Sequence, residues 1–152
     1  ANIAQTVNVL HAMILTDKEK MLLTPTYHVF EMFTVHHDAK LLPTELQSTD
    51  YVMGSDKIPA VNVSASRDKQ GKLHVSLCNL NPNAPAEVAC ELRGAKAGKL
   101  SGRVLTAQEI TAHNTFDNPE YVKPAEFTQF AVTSNGFNTT LPPKSVVVLE
   151  IE

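Results

Sequence analysis

The chain has 152 residues, 43% of them apolar, and a formal net charge of −3, figures that suit one folded domain with a sizeable core. No run approaches the roughly 18 uninterrupted apolar residues of a membrane helix, and a mildly acidic chain with scattered Lys and Arg has no basic stripe to displace phosphate counterions; a helical membrane span and a nucleic-acid partner are both set aside. A closed eightfold α/β barrel takes about 250 residues, so at most a piece of one fits here.

The chain opens at Ala1, with no initiator Met, and runs into Ile3, Val7, Leu10 and Ile14. That stripe has helical spacing and no Ser, Thr or Asp leader to cap it, so it predicts a helix that starts upstream and a segment cut from a longer protein. Thr16–Lys20 reads as a polar turn, and Met21-Leu22-Leu23 as a short buried strand or extended link. Thr24 is a good N-cap with Pro25 at the first helical position, which predicts a second helix with Val29, Phe30 and Phe33 on one face. Helix, strand, helix is the grammar of an α/β unit, and two such helices cannot bury their own apolar faces.

From about Pro43 the pattern shifts to period two. Val61, Val63 and Ala65, then Leu73, Val75 and Leu77, then Val88, Cys90 and Leu92 alternate with polar or small residues. The turn clusters Arg67–Gly71 and Asn81–Pro85 lie between them, and the spacing suggests antiparallel neighbours. Gly102–Ala107, Phe127–Val132 and Ser145–Ile151 are further strand candidates. Six or more short strands without intervening helices predict a mainly β fold: an antiparallel β-sandwich of jelly-roll or Greek-key type, with the two helices before it. Asn114–Glu126 reads as an ordered excursion, because Phe116, Tyr121 and Val122 need burial.

Chemistry has few footholds. Cys78 and Cys90 have neither CxxC spacing nor accompanying histidines, so they read as free, half-buried thiols, with a cross-strand disulfide as the alternative. The histidines are His11, His28, His36, His37, His74 and His113; adjacent side chains point apart, and surface or helix-end roles are expected, with no metal site and no cofactor. HExxH, GxSxG, P-loop and GxGxxG motifs are absent from the sequence. A glycosidase pair would need two carboxyls about 5 to 9.5 Å apart in a cleft; Asp17, Glu19, Asp56, Asp68 and Glu91 are expected on solvated faces instead. With no Trp, and only Tyr51, Phe116 and Tyr121 as candidate exposed rings, a free-standing carbohydrate-binding module is the second choice.

Ala4–Val9 with Met13–Thr16, followed by Thr24–Phe33, resembles the end of the catalytic barrel in α-L-arabinofuranosidases of glycoside hydrolase family 51. Cys78–Asn81, Ile110–Pro119 with Val122–Pro124, and Leu141–Val146 are similar to that family's C-terminal sandwich, so the resemblance covers essentially the whole chain. It implies a barrel remnant over 1–38 and a sandwich over 39–152, in a parent enzyme that removes terminal α-L-arabinofuranosyl units from arabinan or arabinoxylan with retention. The family's two catalytic glutamates have no counterpart here, and none of the ten glutamates present is promoted to replace them. The fragment is therefore expected to be inactive and structural, its partner being the barrel of the same polypeptide. Gln5 matches the family glutamine that hydrogen-bonds arabinofuranose, and an amide both donates to and accepts from hydroxyls. Asn8 is expected to pack or cap, and His113 and Asn114 to organise the long loop. An oligomerisation role, and self-association of the isolated piece through a surface that includes parts of Val29, Phe30 and Phe33, are further expectations, and the cellular compartment stays open.

Overall fold

The computed structural model describes residue 3 and residues 5–152. Its first regular element is a hairpin of Ile14–Asp17 (β1) and Lys20–Leu23 (β2), closed by a turn in which Lys18 has φ 53°. The helix expected around Ile3–Ile14 does not form over the described residues. Asn8 and His11 adopt left-handed φ of 54° and 61°, and the Thr6 carbonyl accepts from the amides of Met13 and Ile14. Helical spacing of apolar residues is outweighed here by hydrogen bonds to a neighbouring strand. The second helix is present at Pro25–Met32 (α1), where Thr24 caps by accepting from the Tyr27 amide, and it runs into a 3-10 turn at Phe33–His36.

The rest is antiparallel β structure. Lys40–Leu42 (β3) is followed by a separate hairpin, Asp50–Met53 (β4) with Asp56–Pro59 (β5). Then come Val61–Arg67 (β6), Leu73–Asn79 (β7), Ala86–Glu91 (β8), Leu100–Leu105 (β9), Ala125–Glu126 (β10), Phe130–Thr133 (β11), Gly136–Leu141 (β12) and Ser145–Ile151 (β13). Six strands join in the order β10-β9-β13-β7-β6-β3, and three in the order β11-β12-β8. No helix among the described residues is long and apolar enough to cross a membrane.

The two sheets enclose the main core. Period two sends Leu73, Val75 and Leu77 of β7 and Val147, Leu149 and Ile151 of β13 to one face, where they meet Phe137 and Leu141 of β12. Phe137, Leu141, Val147 and Leu149 are fully buried. At Gly136 any Cβ would collide with the carbonyl oxygen of Cys90 on the paired strand, so this position needs glycine.

β6 and β7 pair as their spacing suggests, through a turn in which Asp68 Oδ1 accepts from the amides of Gln70 and Lys72. β7 and β8 are not neighbours. The chain crosses to the other sheet at Asn81–Pro85, so Cys78 and Cys90 stand in different sheets as free thiols. Burial raises the pKa of both. Asn79, 2% exposed, holds this crossing: its amide donates to the carbonyls of Ala84 and Pro142 at 2.9 Å.

Candidate functional site

The outer face of the six-stranded sheet carries α1 and the 3-10 turn. Met32 packs there with Leu105, Val122 and Val148, flanked by half-buried Val29 and Phe33. Beside this apolar seat lies a polar layer. The two ring nitrogens of His36 sit 2.6 Å from the hydroxyls of Ser66 and Ser76, a pair that a neutral imidazole satisfies by donating to one and accepting from the other. His74, 3% exposed, pairs through Nε2 with Asp68 at 2.9 Å, while its buried Nδ1 has no hydrogen-bond partner and lies 3.9 Å from Glu150. Burial, then the neighbouring His74 and His37, lowers the His36 pKa. His74 departs from the surface or helix-end role expected of the histidines, being buried within β7, and sequence spacing offered no hint that His36, Ser66, His74 and Ser76 would gather.

Where α1 meets the hairpin and the long loop, a cleft of about 580 Å³ is lined by Met21, Tyr27, His28, Glu31, Arg103 and Glu120, among others. It is where a carboxylate pair would be sought. Glu31 is already engaged: Arg103 donates to both its oxygens at 2.8 Å and holds its carboxyl low, and Glu120 is held low in the same way by Lys123 at 2.7 Å. A general acid for glycoside cleavage needs the opposite, a carboxyl whose pKa is raised. The other carboxyls with a clear shift, Asp68 and Glu152, also move downward, through hydrogen bonds from His74 and Lys72 respectively. Asp17, Glu19, Asp56 and Glu91 are exposed, as expected for solvated faces; Asp68 is not, being half-buried and paired with His74.

The remaining candidates fall as follows. Gln5 is exposed, two residues before the Val7 to Ile14 bridge. Asn8 does more than cap: its amide donates to Thr16 Oγ1 at 2.8 Å and its Oδ1 accepts from the Thr16 amide at 2.8 Å, clamping the segment to β1. His11 and His113 are exposed. Asn114 is an organiser as expected, 4% exposed, donating to the carbonyls of Leu23 and Val122 and accepting from the Val122 amide. Of the three aromatic candidates, Tyr121 is 55% exposed while Tyr51 and Phe116 are half-buried. Among the described residues no group of three or more His, Cys, Asp or Glu is placed to hold a metal ion.

The family model for the α-L-arabinofuranosidase C-terminal domain matches residues 1–145. An intracellular exo-α-L-arabinofuranosidase from Bacteroides ovatus is 42% identical over 153 residues, which take in 100% of this chain and 30% of that protein. The crystal structure of a GH51 arabinofuranosidase from Xanthomonas axonopodis pv. citri superposes with a TM-score of 0.97 at 42% identity, covering 99% of this chain and 31% of that one. An α-L-arabinofuranosidase from Thermotoga maritima, solved as an arabinose complex, superposes with a TM-score of 0.83 at 28% identity, covering 98% and 33%. The chain thus spans under a third of the Bacteroides and Xanthomonas proteins.

Proposed function

The chain belongs to the α-L-arabinofuranosidase C-terminal domain family, and on that premise we propose that it is the supporting, non-catalytic part of an enzyme removing terminal α-L-arabinofuranosyl units from arabinan or arabinoxylan with retention. In this reading residues 1–38 complete the catalytic barrel and residues 39–152 form the sandwich that buttresses it. The observation that carries the non-catalytic role is the state of the carboxylates at the cleft: Glu31 and Glu120, the two that face it, are each tied to a cation that holds the carboxyl low.

The exposed apolar side chains Val7, Leu10 and Met21 in the amino-terminal part support docking on a further domain. An interdomain contact of about 600 to 1,500 Å², at about 25 cal/mol per Å² of apolar area, contributes substantially to holding such a domain in place. The barrel of the same polypeptide is the proposed partner, and the isolated chain is expected to self-associate through Val7, Leu10 and Met21 rather than through Val29, Phe30 and Phe33, which are half-buried in this structure. Gln5 is proposed to hydrogen-bond the arabinofuranose, its amide serving as donor and acceptor to neighbouring hydroxyls.

The test assays p-nitrophenyl α-L-arabinofuranoside hydrolysis by this chain alone and by the polypeptide that carries it. Activity only in the longer protein is expected; turnover by the chain alone overturns the reading. Retention of the isolated chain on arabinan in affinity electrophoresis would assign it a binding role instead.

A further inference from the structure

The hairpin next to the segment that bears Gln5 is tied to the sandwich by Asn114. Asn114 belongs to the excursion between β9 and β10, and its neighbour Val122 is 5% exposed in the cluster with Met32, Leu105 and Val148. Its Nδ2 donates to the Leu23 carbonyl at 2.7 Å and to the Val122 carbonyl at 3.0 Å, and its Oδ1 accepts from the Val122 amide at 2.7 Å. Leu23 is the last residue of β2 and stands opposite Ile14. Ile14 in turn donates its amide to the Thr6 carbonyl at 3.0 Å and accepts from the Asn8 amide at 3.1 Å. The path from a buried sandwich amide to the residue after Gln5 therefore runs Asn114, Leu23, Ile14, Thr6, with the Asn8 to Thr16 clamp fixing the same segment one step further on.

We propose that Asn114 is a positioning residue for Gln5: the sandwich grips the sugar-facing segment through the β1–β2 hairpin rather than only propping the barrel from behind. This rests on the reading of Gln5 as a sugar contact. The physical basis is that buried amide hydrogen bonds in a low-dielectric setting are strong and directional, so they transmit position. The Asn8 to Thr16 clamp and the bonds from Thr24 to the Ala12 and Met13 carbonyls tie the segment to β1 and to the start of α1, and Asn114 ties the hairpin in turn to the sandwich, so the side chain is held to the tolerance that binding and catalysis need.

Two variants test it in the polypeptide that carries this chain. Asn114→Asp keeps the acceptor for the Val122 amide and removes the donor to Leu23. Asn8→Gly keeps the left-handed backbone and removes the clamp to Thr16, so it stays informative should the buried substitution prevent folding. On p-nitrophenyl α-L-arabinofuranoside, well below each variant's unfolding midpoint, both are expected to lower kcat/KM by about tenfold or more, since misplacement of about 1 Å carries penalties up to about a hundredfold. Combined with Gln5→Ala, neither should lower it further than Gln5→Ala does alone, because the residues act as one unit. Losses that multiply overturn the proposal while leaving the Gln5 reading intact. A Gln5→Ala protein with unchanged kcat/KM removes that reading and this proposal with it. In the isolated chain, Asn114→Asp should also speed hydrogen exchange at the Met13 and Ile14 amides; unchanged exchange rules out the mechanical link.

Discussion

The two faces of the six-stranded sheet are covered in different ways. On one, Val147, Leu149 and Ile151 meet Phe137 and Leu141 in an apolar core. On the other, α1 and the 3-10 turn are seated partly by Met32 and partly by directional groups: His36 between two serines, and Glu31 in a two-pronged pair with Arg103. Apolar burial is non-directional and scales with area, so the inner face is stable wherever volume is filled. Polar latches add little net energy but penalise any displacement, which suits a face whose task is to hold a helix and a hairpin in register.

The sharpest way to break the comparison is Phe137→Ala, which empties a fully buried ring position and should cost about 3–5 kcal/mol in urea unfolding. A cost below that of the latch substitutions would mean that the inner face is not the dominant source of stability. Next, His36→Ala leaves two serine hydroxyls without their imidazole and should cost about 1–3 kcal/mol, with the largest gain in hydrogen exchange expected in the 3-10 turn.

The same latch carries a pH signature. Because the folded pKa of His36 is lowered, the unfolded chain takes up the proton more readily. The contribution is intact above the ordinary histidine value of about 6.5 and declines as pH falls through it toward the lowered folded value. His28, also lowered chiefly by burial, acts in the same direction. Urea midpoints for the parent chain should therefore fall between pH 7.5 and 5.5, and less steeply in His36→Ala; parallel slopes would exclude His36 as the source. Asp68, held low by His74, adds a separate loss only in more acid solution, below the ordinary aspartate range. The smallest effect belongs to Glu31→Gln. With side chains 38% and 48% exposed, the Glu31–Arg103 pair should contribute at most about 1 kcal/mol, and the difference should shrink in high salt.

What the sequence revealed follows the same division. β6, β7 and β13 were legible because alternation and turn chemistry both depend on local residues: Asp68 and Gly71 close one hairpin, and Asn81 organises the crossing with its Oδ1 accepting from Asn83 and Ala84. β12 was overlooked although Ser134-Asn135, followed at once by Gly136, forms the tight turn that pairs it with β11, a signal available from the residues themselves. The stripe Ile3, Val7, Leu10, Ile14 misled because its spacing fits a helix while its partners lie elsewhere in the chain: Thr16 for Asn8, and Leu23 opposite Ile14. The His36 layer was invisible for a related reason, since Ser66 and Ser76 lie 30 and 40 residues away. The resemblance named the family; it could not show which side chains tie the sandwich to the strap.

β13 lies in the middle of the six-stranded sheet, between β7 and β9, although it is made after the other five strands of that sheet. On a ribosome, β7 and β9 must therefore wait with their inner edges open until that segment emerges. The sheet cannot grow outward from its earliest members alone, and a nascent chain halted before Ser145 would present two unpaired strand edges to its surroundings, the kind of intermediate that chaperones exist to shield.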